Sequence, residues 1–449
     1  MYHSQYDALL APPRILLAAL AILMQHPVAA QSPRYETLYS FKGNPDGADP
    51  KGALLIGKSG ELYGTTFGGG TSVFGTVFEL TKPTGEPWKE TVLHSFIGSD
   101  GQYPESALTL SSDGSLFGAT IGGGGGAGAV FEMAPPTASN SAWTETVLYT
   151  FPPSESQNVA PNGPVLIGPG GTLYATTQGS SPYLGLVFAL APPSTPGGDW
   201  TEYGLYHFGG GTDGGGPAAG LVSSGGSLFG TTTYGGNEGG DNGCGVVFQV
   251  APGLTHSTAW IETVLHTFTC YPGDGEIPYA LLTVGPGGVL YGTTREGGSW
   301  QCYTANLTTD GCGTVFELVP PSTPGAAWTY SMIYNFTGAN GDGAAPVASV
   351  ALGKNGALYG TTEYGGSAAS DSACSASYYV IAGCGIVFEL SPPSTPGGAW
   401  TETVLHSFSG QSGDGSLPLA GLVSSSGVLY GTTSAGGTAG RGTVFAVAP

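Results

Sequence analysis

The chain has 449 residues, of which 80 are Gly and 34 are Pro. Ten Lys and Arg face 31 Asp and Glu, a formal net charge of −21. That balance excludes a nucleic-acid binder, which needs cations for phosphate, and disfavours an anionic membrane surface as partner. So much Gly and Pro without a period would suit disorder, but 40% apolar and 11% aromatic residues do not. The surplus reads as turns, and many turns imply many short strands.

In chain order, residues 1–30 read as a secretory signal. Arg14 precedes the apolar run Ile15–Met24, Pro27 breaks it, and Val28-Ala29-Ala30 supplies small residues for cleavage. The run is too short to span a bilayer. The expected mature start is Gln31, and no transmembrane helix is expected after processing.

Beyond the signal, one composite repeat organises the chain. The segment Leu-Tyr-Gly-Thr-Thr or a close variant starts at Leu62, Leu116, Leu173, Leu228, Leu290, Leu358 and Leu429. A short apolar segment precedes each copy. A Gly-Thr-Val-Phe-Glu-Leu segment follows, then a Pro-rich turn and Trp-Thr-Glu-Thr-Val-Leu-His-Ser-Phe or a variant. The segments are β-branched and aromatic, and Gly, Pro, Asp or Ser bound them, so they read as strands. Four strands per repeat, seven times over, predict an all-β, seven-bladed β-propeller with four-stranded blades. A β-sandwich or solenoid is the alternative.

The ends predict how the ring closes. The first strand, Glu36–Phe41, matches the last strand of a repeat, whereas the chain stops just after a third strand, Gly442–Val447. Residues 35–41 therefore complete the blade formed by 418–449. The other blades are 50–96, 104–151, 161–208, 217–268, 278–336 and 346–408, and 31–449 is one domain. Closure of this kind leaves no open edge.

These motifs resemble the GloVer-type tandem repeats of exported bacterial proteins, over essentially the whole mature chain. Members of that group carry varied surface anchors, and the resemblance implies no established activity. No sorting segment follows Val447, so a released product is the expectation.

All six Cys lie beyond residue 243. An even count in an exported chain predicts disulfides, with the proposed pairs Cys302–Cys312, Cys374–Cys384 and Cys244–Cys270. A metal site is the competing reading, although no short Cys-x-x-Cys spacing exists. Asp-Gly-x-x-Pro recurs between blades, with Asp46, Asp100, Asp213, Asp274, Asp342 and Asp414 leading it and Gln157-Asn158 replacing it once. Its structural reading is a turn in which Asp bonds backbone and Gly takes positive φ. Its functional reading is a ring of carboxylates at the channel entrance that could hold Ca²⁺. No other cofactor is expected.

Seven copies serve as an internal alignment: consensus residues serve the blade, and departures are candidates for function. Six Trp are consensus, while Trp300 lies in a long insertion beside Cys302 and Tyr303. The matching insertion of the next blade holds Tyr378 and Tyr379. Both insertions are expected on the face that carries the DGxxP turns, where aromatic rings could stack on sugars or anchor a protein. The position after Leu-Tyr-Gly-Thr-Thr varies most, and Arg295 and Glu363 there stand in adjacent blades. An ordinary exposed ion pair is one reading and a charged ligand contact the other. His94, His266 and His406 alternate with Tyr at one repeat position and read as packing. No hydrolase, zinc-protease, EF-hand or phosphate-loop motif is present. The leading expectation is an exported, non-enzymatic, monomeric recognition or scaffold propeller for an extracellular glycan or protein. A polysaccharide-active hydrolase or lyase with carboxylates at the channel mouth is the rival.

Overall fold

The structure, a computed structural model, describes residues 34–152, 160–179, 184–195, 197–236, 243–253, 259–270, 272–299, 302, 311–323, 325–367, 374, 383–395 and 397–449. Seven small antiparallel sheets form the blades of a β-propeller, and three two-stranded ladders pair the DGxxP turn with the residues after the second strand in blades one, six and seven. Among the described residues there is no α-helix, and three short 3-10 turns sit between the first and second strands of blades three, five and six.

Blade one is typical: Leu55–Ile56, Leu62–Thr66, Thr76–Thr81 and Lys89–Ser95 pair in that order from the axis outward. The innermost strands are two or three residues long. The apolar segment before each copy, residues 52–56 in blade one, is long enough for a five-residue strand. Only its end pairs, because the chain is still leaving the DGxxP turn. The residue just before that strand, such as Leu54, Leu221 or Val350, goes into the core instead.

Blade seven has the order Arg34–Ser40, Thr443–Ala448, Val428–Thr433, Val423–Ser425 from rim to axis. The N-terminal strand therefore closes the ring as its outermost member, with Tyr35 opposite Val447. In all seven blades one residue of the outer strand is skipped in the pairing: Leu38, Leu93, Leu148, Leu205, Leu265, Ile333 and Leu405. Such a bulge bends and twists an outer strand.

The seams between blades share one packing unit. A Phe at the end of each outer strand meets, edge to face, the Phe in the third strand of the next blade. Phe96–Phe131, Phe208–Phe248 and Phe336–Phe388 have centroids 5.2, 5.0 and 5.2 Å apart. Phe41–Phe78, at 5.1 Å, repeats the unit across the closing seam. Gly64 explains the glycine of the second strand: a Cβ there would stand 2.5 Å from the Phe78 ring. The first Thr of the motif ties the seam near the axis, as when the Thr65 hydroxyl donates to the Ser106 carbonyl at 3.0 Å. At the far end of the seam a consensus Trp meets an aromatic of the preceding blade, for example Trp143 with Tyr63.

Candidate functional site

Two chain positions converge on the propeller axis. The residue before the Pro of each DGxxP turn adopts a left-handed conformation: Asp49, Tyr103, Gly216, Ile277, Ala345 and Leu417 have φ between 53° and 65°. For the non-glycine members this costs roughly 1–3 kcal/mol each. Hydrogen bonds on both sides hold the conformation. The Ile277 N–H donates to the Cys244 carbonyl of the preceding blade at 3.2 Å, and its own carbonyl accepts the Arg295 N–H at 3.1 Å. The same pair of bonds recurs at Asp49, Ala345 and Leu417. This turn directs the residue after the Pro and the residue after Leu-Tyr-Gly-Thr-Thr to the axis on the loop face.

There they line a cavity of about 240 Å³. Lys51, Glu105, Asn162, Tyr279, Val347 and Leu419 follow the Pro in six different blades, and Arg295 and Glu363 come from the second position. The mouth has a balanced charge. Lys51 pairs with Glu105, and its ammonium lies 3.5 Å from the centre of the Phe67 ring. Arg295 pairs with Glu363 at 3.3 Å. Asn162 donates to the Tyr279 hydroxyl at 3.4 Å, joining blades three and five, and to Gln178 at 3.2 Å. Tyr279 keeps 37% of its surface open, while its concave surroundings push the phenol pKa up through burial. A second depression, of about 480 Å³, shares Tyr279 and Arg295 and extends over Gln178, Thr233, Tyr234 and Glu276.

Arg295 and Glu363 are therefore together, as their repeat position suggested, but as a half-buried pair in the mouth rather than an ordinary exposed one. Trp300, Tyr303, Tyr378 and Tyr379 lie outside the described residues. The position after the DGxxP Pro was missed from the sequence. Its signal was present, since Lys51, Glu105, Asn162, Ala218, Tyr279, Val347 and Leu419 differ in every blade while the Pro before them does not.

The DGxxP aspartates sit at the outer part of the seams and are absent from the cavity lining. Asp46 accepts from the Lys42 and Gly47 N–H groups and the Tyr39 hydroxyl, at 2.9, 2.7 and 2.9 Å. Asp213 and Asp342 take equivalent turn donors. In the turns of Asp100, Asp274 and Asp414, His94, His266 and His406 bond the Asp, so these His do more than pack. The turn glycine takes positive φ at Gly101, Gly214 and Gly275. At Gly47, Gly343 and Gly415 the missing side chain instead makes room for Thr66, Thr362 and Thr433. Among the described residues, one of the six Asp belongs to a three-group cluster of metal-ligating type, His94–Asp100–Glu145, whose ligand atoms lie within 4.8 Å of one another. A second such cluster, Cys244–Cys270–Glu276, has its sulfurs bonded to each other.

A family model described as the Gloeobacter/Verrucomicrobia repeat matches residues 27–193 and 126–372. The chain belongs to that family. Within this repeat family's frame, the three disulfides sit in three successive blades, four to six. Cys244–Cys270, Cys302–Cys312 and Cys374–Cys384 have Cα separations of 5.3, 5.1 and 5.1 Å, and all but Cys270 are buried. Each ties the loop after the second strand, next to the sector that presents Tyr279, Arg295 and Glu363.

No curated protein matches the chain. Among solved structures it is similar to an ulvan lyase of polysaccharide lyase family PL25 at 10% identity and TM-score 0.49, covering 92% of this chain and 95% of that one. It is similar to the first two extracellular domains of Drosophila semaphorin 1a at 10% identity and TM-score 0.47, with coverage of 92% and 88%. A calcium structure of a Trichoderma reesei carbohydrate-active enzyme of family AA12 gives 14% identity and TM-score 0.39, with coverage of 94% and 96%. No helix among the described residues is long and apolar enough to cross a membrane.

Proposed function

We propose that this repeat propeller is an exported, non-catalytic recognition protein that seats an extracellular glycan, or failing that a protein, on its loop face over the channel mouth. One observation carries the reading. The blades repeat their seams almost residue for residue, yet at the axis each contributes something different, from Lys51 to Tyr279 to Leu419. Seam packing demands sameness, and no packing requirement explains difference at the mouth. An open aromatic face flanked by amide, guanidinium and carboxylate groups suits the alternating apolar and hydroxyl surfaces of a sugar.

The carboxylates at the mouth support binding over acid–base chemistry. Glu105 and Glu363 are each engaged by a cation, whereas a glycosidase needs one carboxyl held as an acid and a second as base or nucleophile. Calcium is a separate proposal: it would have to compete with donors that the DGxxP Asp already accept, and a melting shift on EDTA treatment would reveal it.

The test uses secreted mature protein on glycan arrays and in pull-downs. Binding should fall at least tenfold on Tyr279→Ala, and also on Trp300→Ala if the blade-five insertion extends the site. Full binding by the Tyr279→Ala variant, or turnover of a polysaccharide by the wild type, would overturn the proposal.

A further inference from the structure

The outer-strand residue that pairs with the fifth residue of the third strand, such as Glu90 opposite Leu80 or Glu262 opposite Val250, faces the DGxxP turn of the preceding blade across the seam. In two blades it is Tyr. Tyr330 stacks on His266 at 4.0 Å and donates its hydroxyl to the Asp274 carbonyl at 2.7 Å. Tyr35 stacks on His406 at 3.6 Å and lies beside Asp414. This place in the seam is thus filled by a group that can present a hydroxyl proton towards the turn.

In four other blades the residue is Glu90, Glu145, Glu262 or Glu402. Each has its Oε1 sealed from solvent and without a hydrogen-bond partner. Each stands beside an Asp of the preceding blade: Asp46, Asp100, Asp213 or Asp342. The two carboxyls are not equivalent. The Asp is surrounded by donors, with Tyr206 and the Gly209 N–H on Asp213 at 3.0 and 2.7 Å, whereas the Glu Oε1 has none. A sealed carboxylate oxygen with no donor, next to a second negative charge, is the arrangement that ionisation disfavours most.

We propose that these four Glu are neutral acids in the folded ring, each holding a proton at its seam as the tyrosine hydroxyls do in the other two blades. The seams are then tightest in mild acid and loosen as pH rises.

The surrounding charges agree with this. Burial first, and the neighbouring Asp second, push all four Glu up to about 7, with Lys42 opposing the shift at Glu90. Tyr39, Tyr206 and Tyr334 are the other titratable groups at three seams, and burial raises all of them, so they stay neutral. At the Asp342 seam burial also raises the Asp, against the hydrogen bonds from Thr337, Gly343 and Tyr334 that lower it. His94, at the Asp100 seam, works in the opposite direction: burial lowers its pKa, so acid charges it at a cost. The remaining blade is an internal control. Glu202 follows a blade with Gln157-Asn158 in place of the Asp-Gly, and the Tyr149 hydroxyl lies 3.4 Å from its Oε2.

The sign follows from linkage. Each folded pKa exceeds the unfolded value, so the contribution is complete below the ordinary Glu range. It is lost as pH climbs to about 7 and is level above. Melting of the full mature chain should therefore drop by roughly 5–10 °C between about pH 5 and about pH 8. The quadruple variant Glu90→Gln, Glu145→Gln, Glu262→Gln, Glu402→Gln, which mimics the neutral acids, should lose most of that drop. Glu202→Gln should leave it in place. If the quadruple variant does not fold, infrared spectra of the wild type at neutral pH decide: a protonated carboxyl band is expected, and its absence would overturn the proposal. A melting temperature that is flat or rises with pH would overturn it too. So would a melting loss on EDTA treatment, abolished by the quadruple change, since a cation and not a proton would then occupy the seams.

Discussion

The seams and the channel mouth are built from the same seven repeats and obey opposite rules. At the seams, Phe41–Phe78 and Phe408–Phe445 have the same 5.1 Å separation although one pair closes the ring and the other lies within it. At the mouth, the residue after the same Pro is a cation in blade one, an anion in blade two and an aromatic in blade five. A repeat protein must keep what every neighbour needs, since its stability is close to a sum of unit and interface terms. The mouth adds mainly ion pairs and an amide–phenol bond to that sum, so its residues are less constrained by it than the seam aromatics.

Breaking the closing seam should have the largest effect. Deleting residues 34–41 removes the outer strand of blade seven together with Phe41. The loss should exceed the ~3–5 kcal/mol of one buried Phe, and calorimetry should show the single cooperative transition broadened or gone. Phe388→Ala tests an internal seam and should cost ~3–5 kcal/mol in denaturant titrations, with ligand affinity unchanged in the fraction that folds. The double change Cys374→Ser, Cys384→Ser should cost ~2–3 kcal/mol by the chain-entropy account, read as a melting temperature below that of the oxidised wild type and above that of the reduced wild type, which loses all three bridges. Arg295→Ala sharpens the comparison from the other side: it should cost about 1–3 kcal/mol, the penalty for leaving the largely buried Glu363 without its partner, while weakening ligand binding several-fold, measured by calorimetric titration.

Much of the seam was legible in the sequence because a seam residue recurs. The Phe, the Gly beneath it, the Trp and the Thr pair stand at fixed places in the repeat, and the partial blade at each end gave the closure. The cysteine pairs were legible from the even count and from one member of each pair, Cys244, Cys312 or Cys384, standing between two Gly. The mouth was half legible. Arg295 and Glu363 were picked out as departures from a repeat position, but Lys51, Glu105 and Tyr279 stand one residue beyond a motif whose regular Asp, Gly and Pro drew the attention. Their convergence depends on a left-handed residue before the Pro, and Ile277 or Leu417 gives no hint of such a conformation, since a β-branched or bulky side chain is rarely found there. The Asn162–Tyr279 contact joins residues far apart in sequence and needs the ring itself. The buried state of Glu145 was hidden for another reason: the pattern of its strand alternates like any other, and only the neighbouring blade seals it.

The most direct test measures binding and melting together for one mouth variant and one seam variant. Once arrays have supplied a ligand, Tyr279→Ala should lose at least tenfold in affinity with its melting temperature within about 2 °C of wild type. Tyr206→Phe, at a seam, should lower melting and keep the affinity. Unchanged affinity in the Tyr279→Ala variant, or an equal loss of affinity in both, would contradict the division between a structural seam and a functional mouth.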